Sequence, residues 1–118
     1  MTLKIYHNPR CSKSRKTLQL MSDAGIEPVI SLYLKNPPDA AEILGLAEQL
    51  GEPVAGLLRK GEDAFKEAND LPDLDDDKAL ANWLSAHPIV LQRPVVVDTD
   101  SERAVVGRPP ENVLELLD

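Results

Sequence analysis

Cys11 is the only cysteine among 118 residues, and it stands in the stretch HNPRCSKSRK. A cysteine reacts as its thiolate, and a free thiol has a pKa of about 8.5. Two features here favour the anion. Arg10, Lys13, Arg15 and Lys16 place four cations within seven residues. Cys11 also precedes a predicted helix, whose first backbone N–H groups lack intrahelical partners and form the positive end of its dipole. Ser12 and Ser14 could add hydrogen bonds to the sulfur. The expectation is a thiol with a depressed pKa. The same geometry suits an external oxyanion. A thiolate and an oxyanion repel each other, so holding both requires further cations. Arginine, with its permanent charge and fixed fork of donors, is best suited to that task. A lone cysteine is more commonly a small buried residue, but the proline, serine, arginine and lysine side chains around this one argue against burial.

The rest of the composition narrows the class. A chain of this length suits one domain, and a hydrophobic fraction of 42% with 3% aromatics requires a core of Leu, Val, Ile and Ala. A formal net charge of -7 opposes nucleic-acid binding, which leaves a basic footprint. One cysteine excludes an internal disulfide and a thiolate zinc cluster. The start has no apolar leader and no run reaches the roughly 18 residues of a membrane helix, so a cytoplasmic protein without membrane association is expected. DLDDDK has aspartates at 73, 75 and 77 in calcium-loop spacing, but Lys78 and Leu84 fall where that loop needs glycine and glutamate, so no metal is expected.

The elements that must position the cysteine can be read from punctuation and periodicity. Residues 3–6 read as a strand broken by His7-Asn8-Pro9, and 12–24 as a helix closed by Gly25, with Ile26 completing a Schellman cap. PVISLYL (28–34) reads as a second strand. A helix capped by Asp39 runs to about Leu50, followed by short helices at 54–60 and 64–68, an acidic loop at 69–77 and a helix at 77–86. Trp83 reads as core, and His87 as a cap or surface residue before Pro88. The end reads as strands 94–98 and 103–106, a GRPP turn and a helix at 111–117. The order βαβ, helical insertion, ββα predicts a parallel crossover, an antiparallel hairpin and helices on both faces. This is an α/β chain with a mixed four-stranded sheet, in outline a thioredoxin-like fold.

HNPRCSKSR resembles the HNPxCxxSR active-site segment of the ArsC family, the glutaredoxin-linked arsenate reductases. The likeness continues in order through YLKNPP, LLRKGEDAFKE, HPIVLQRPVVVD and VGRPPENVLELL, and the short members of YfgD type are the most similar. The resemblance implies that Cys11 is the nucleophile and that Arg59, Arg93 and Arg108 bind the oxyanion. It implies that His7 assists ionisation of the cysteine, that Ser14 and Arg15 complete the SR of the motif, and that Asn8 shapes the anion loop. Thioredoxin-like proteins place a cis-proline where Pro94 stands, which would bring Arg93 toward the thiolate. From its residues alone, Arg59 could equally be a surface helix residue.

The implied reaction is reduction of arsenate to arsenite, with glutathione as co-substrate, glutaredoxin as partner and no bound cofactor. A single cysteine fits this route, since an internal disulfide needs two. Two other readings share the residues. One is an oxyanion-binding thiol protein without arsenate turnover. The other is a Spx-like regulator that binds RNA polymerase, although such regulators typically carry C-x-x-C where this chain has C-S-K-S. The sequence leaves the oligomeric state open.

Overall fold

The computed structural model describes residues 2–116. The chain divides into two compact units, one formed by the chain up to Tyr33 together with the chain from Arg93 onward, the other by Leu34–Gln92.

The first unit holds a four-stranded sheet of β1 (Leu3–Tyr6), β2 (Val29–Ser31), β3 (Val95–Asp98) and β4 (Arg103–Val106), in the order β2-β1-β3-β4. β1 runs parallel to β2 and antiparallel to β3, and β3 and β4 form an antiparallel hairpin. This is the mixed α/β sheet of the thioredoxin-like outline. β3 has neighbours on both edges, and its Val95-Val96-Val97 run is buried throughout, as a central strand of β-branched residues should be. Leu3, Ile5 and Val96 on the sheet, Met21 on α1 (Ser12–Asp23), and Val113 and Leu116 near the C-terminus form one core. Each buried side chain of this size contributes about 1.5–3 kcal/mol. α1 closes as the sequence suggests: Gly25 has φ 78°, its N–H donates to the Ser22 carbonyl, and the Ile26 N–H donates to that of Met21. These are the two bonds of a Schellman motif.

Four elements differ from their sequence outlines. β2 spans three residues rather than seven, because its partner runs out. Tyr6 pairs with Ser31, the His7 N–H makes a last bond to the Ser31 carbonyl, and Pro9 ends that run. The C-terminal helix is a 3-10 helix, Pro110–Leu116, within which Pro110, Val113 and Leu116 are buried. Their spacing of three matches the three residues per turn of that helix and puts them on one face. Leu117, the last residue of the expected helix, lies outside the described residues.

The other two differences fall in the second unit. Val54–Leu57 is a 3-10 turn, after which Leu58 becomes extended and pairs with Leu91. The Gln92 N–H bonds to the Leu57 carbonyl and the Arg59 N–H to that of Val90, each at 2.7 Å. Two successive buried leucines suit an extended segment better than one helix face. α3 is a single turn, Asp63–Lys66.

Around these, α2 (Ala40–Leu50) packs on α4 (Asp77–Ala86). Both carry aspartate caps: Asp39 accepts from the Glu42 N–H and Asp76 from that of Ala79. Trp83 is buried and donates through Nε1 to Asp70. His87 stacks on the Trp83 ring and is hydrogen-bonded to its carbonyl, a structural role consistent with its reading as a helix-end residue. Among the described residues no helix is long and apolar enough to cross a membrane, and no cluster of His, Cys, Asp and Glu could hold a metal ion.

Candidate active site

The loop that presents Cys11 follows directly from its composition. Asn8-Pro9-Arg10-Cys11 is a turn closed by the Cys11 N–H bonding to the Asn8 carbonyl at 3.0 Å, with asparagine and proline where such turns favour them. The Asn8 side chain accepts from the Arg10 N–H at 3.0 Å, an Asx turn that stiffens the loop. Cys11 is then the N-cap of α1, with extended backbone at φ -91° and ψ 122°. The residue is partly exposed.

Burial by itself would raise the Cys11 pKa, but the net effect is a lowering. The opposing influences, strongest first, are the backbone amides of Ser14 and Lys13, the charge of Arg108 and a hydrogen bond from Arg93. Neither amide closes a full capping hydrogen bond to the sulfur, so they act mainly as the positive pole of the helix. Arg108 Nη2 donates to Sγ at 3.4 Å while its Nε donates to the Arg93 carbonyl at 2.7 Å. That second bond holds the guanidinium in place. Arg93 is buried, 7% exposed, at a cis bond to Pro94.

The cations that act on the sulfur are therefore not the four beside it in sequence. Arg10, Lys13, Arg15 and Lys16 are all exposed: Arg10 lies in the turn before α1, and the other three are on the solvent face of α1, opposite its buried Ser14, Thr17 and Met21. Arg15 donates from Nη1 to the Pro9 carbonyl at 3.0 Å, so it braces the loop. Ser14 also departs from expectation: its hydroxyl turns to the buried His7 ring rather than to the sulfur. His7 Nδ1 and Ser14 Oγ share a hydrogen bond of 2.6 Å, and the same Oγ accepts from the Asn8 N–H at 3.1 Å. His7 is held below the ordinary histidine pKa by burial and by the charge of Arg15.

Cys11, Arg93, Arg108, His7, Asn8, Ser14 and Arg15 all lie in the first unit. Arg59 lies in the second, half-buried after the 3-10 turn, with Nη1 3.8 Å from Glu62 Oε1. Asn112 was not singled out by its sequence. Its Nδ2 donates to the Val106 and Arg108 carbonyls at 3.1 and 3.2 Å, fixing the backbone that carries Arg108. The signal was present as an asparagine four residues after Arg108, but a polar residue at a helix start reads first as a surface residue.

A first prediction concerns Ser14. Ser14→Ala leaves the Asn8 N–H and His7 Nδ1 without their shared partner in a buried setting, which costs about 1–3 kcal/mol. Denaturant unfolding of the two proteins measures it, and a loss below about 0.5 kcal/mol would show that the hydroxyl bridge does not hold the loop.

The arrangement can stabilise a thiolate and receive an anion beside it. Comparison with known proteins agrees in sequence and in fold. The family model described as "ArsC family" matches residues 6–116. YfgD of Escherichia coli K12 is 45% identical over 116 residues, covering 98% of this chain and 96% of that protein. A Haemophilus influenzae protein named arsenate reductase is 42% identical over 119 residues, covering 99% and 100%. A solved structure titled arsenate reductase from Vibrio cholerae superposes with a TM-score of 0.85 at 41% identity, covering 98% of this chain and 97% of its own. A match of this extent, colinear with the cysteine loop and with both arginines beside the sulfur, places this chain in the ArsC family.

Proposed function

We propose that this chain is an arsenate reductase in which Cys11 is the nucleophile. The observation that carries the reading is the Arg108 guanidinium on the Cys11 sulfur at the N-terminus of α1. A reductase of an oxyanion needs a thiolate at neutral pH and cations beside it, and these residues supply both. The relatives named arsenate reductase supply the substrate class.

In this reading the Cys11 thiolate attacks arsenic, and one oxygen leaves as water after protonation. Arg93 and Arg108 hold the remaining oxygens of the thiol–arsenate adduct, with Arg59 added by motif alone. Reduction of As(V) to As(III) takes two electrons, which two thiols supply in becoming one disulfide. The sequence contains one cysteine, so the other sulfurs come from outside. Glutathione condenses with the adduct, losing a second water. Glutaredoxin then attacks the glutathionyl sulfur, forming a mixed disulfide and leaving As(III) on Cys11. Hydrolysis releases arsenite and returns the thiol. Chemistry that depends on reduced thiols suits the cytoplasm.

The test is arsenite release from arsenate by the folded protein, with glutathione and glutaredoxin supplied together and each then omitted. Release that requires both is the expected result. Release without glutathione would overturn the glutathione step. Binding of arsenate without release would overturn turnover and leave an oxyanion-binding thiol protein.

A further inference from the structure

Gly107 joins β4 to Arg108, and no side chain fits there. A Cβ at this position would lie 2.5 Å from Thr17 Oγ1, 2.7 Å from Pro94 Cγ and 3.2 Å from Thr17 Cγ2. Its φ lies outside the left-handed region, so the glycine is required for space and not for conformation. Its N–H donates to the Pro94 carbonyl at 2.9 Å. On the other side of the contact Thr17 is fully buried, and its hydroxyl donates to the Lys13 carbonyl at 2.8 Å. A β-branched side chain has little rotamer freedom in a helix, and this one is also tethered by that bond.

Three segments of the site therefore meet at one point. α1 carries Cys11, the start of β3 follows Arg93, and the loop after β4 carries Arg108. Neither Thr17 nor Gly107 bonds to the sulfur, but Gly107 immediately precedes Arg108 in the chain and Thr17 lies on the helix that Cys11 caps. We propose that Gly107 and Thr17 are positioning residues, whose close contact sets the distance between the Arg108 guanidinium and the Cys11 sulfur. The inference rests on Cys11 and Arg108 being the working pair of the proposed reductase.

A methyl group at Gly107 would have to open this contact by about 1 Å to reach ordinary packing distance. Arg108 Nη2 donates to Sγ at 3.4 Å, and a displacement of that size in the Arg108 backbone would take it beyond hydrogen-bonding range. Thr17→Ala removes both Thr17 atoms from the clash and leaves only the proline ring.

The experiment compares Gly107→Ala, Thr17→Ala and the double variant. The first readout is the pH dependence of Cys11 alkylation by iodoacetamide, a neutral reagent, and the second is the division of any activity loss between KM for arsenate and kcat. In Gly107→Ala the thiol titration should shift upward by about one unit, the scale of one lost charge-assisted hydrogen bond, and KM should rise about tenfold. The double variant should recover at least half of the titration shift even though it leaves a small cavity. A wild-type titration in folded Gly107→Ala would overturn the proposal, as would a double variant no closer to wild type than the single. Should Gly107→Ala fail to fold, the double variant is compared with Thr17→Ala alone, and titrations more than one unit apart would overturn it. Alkylation needs no arsenate. A titration shift in a protein that does not reduce arsenate would therefore retain the positioning role and overturn only the substrate.

Discussion

Cys11→Ser should abolish arsenite release, by a factor on the order of 10³ or more, while the protein remains folded. A serine hydroxyl stays protonated where this thiol ionises, so the nucleophile is lost. The effect on stability makes the prediction sharper. Cys11 occupies the N-cap of α1 with extended backbone and makes no capping hydrogen bond through its side chain. Serine is a preferred N-cap, and a good cap is worth about 1 kcal/mol. Against this, the wild type has the stability of a thiolate held below its ordinary pKa. A group with a lowered folded pKa contributes fully above its unfolded pKa, and the contribution is lost as pH falls through the folded value. The stability of Cys11→Ser relative to wild type should therefore be most favourable at acid pH and decline as pH rises. Thermal unfolding across a pH series, beside the arsenite assay, checks both parts. Retained turnover would remove Cys11 from the mechanism, and a stability difference independent of pH would show that folding does not lower the Cys11 pKa.

Arg108→Ala should lower kcat/KM for arsenate by about 10- to 100-fold, the equivalent of about 1.5–3 kcal/mol for a hydrogen bond to a charged group. It should also raise the Cys11 thiol toward its ordinary pKa, since Arg108 is the strongest side-chain influence lowering it. The stability cost should be small, about 1 kcal/mol, because the Arg93 carbonyl loses the Nε donor at 2.7 Å. Arg108→Lys should not restore activity. A single ammonium cannot donate to the Arg93 carbonyl and also present a second fixed N–H to the sulfur. Steady-state kinetics and thiol titration of both variants decide the matter. A kcat/KM within about twofold of wild type in Arg108→Ala would show that another residue holds the oxyanion.

Much of this was legible in the amino-acid order because its causes are local. Pro9 and Asn8 specify the turn before Cys11, Gly25 and Ile26 the close of α1, and Asp39 the start of α2. A turn or cap is decided by a few neighbouring residues, so its residue types suffice to identify it. The parallel crossover and the antiparallel hairpin followed from element order and the short turn between 98 and 103, whereas the strand order β2-β1-β3-β4 came only from the structure. Elements whose limits depend on a partner were misjudged. β2 ends where β1 stops supplying hydrogen-bond partners, and Leu58 leaves its helical turn to pair with Leu91.

The site divides in the same way. Sequence by itself determined that one cysteine stands at a helix N-terminus, that arginines stand in the QRP and GRPP segments, and that the colinear motifs are those of one family. It could not determine which cations reach the sulfur. Four cations lie within five residues of Cys11 in the chain and are exposed, while Arg108, 97 positions away, donates to it. The Ser14 hydroxyl likewise turns to His7, and a glycine in a turn motif proves to be the point where α1 meets the loop carrying Arg108. Proximity along the chain does not set side-chain direction, because helical geometry sends successive residues to different faces. Only the packing of α1 against the strand ends brings the distant guanidinium to the thiol.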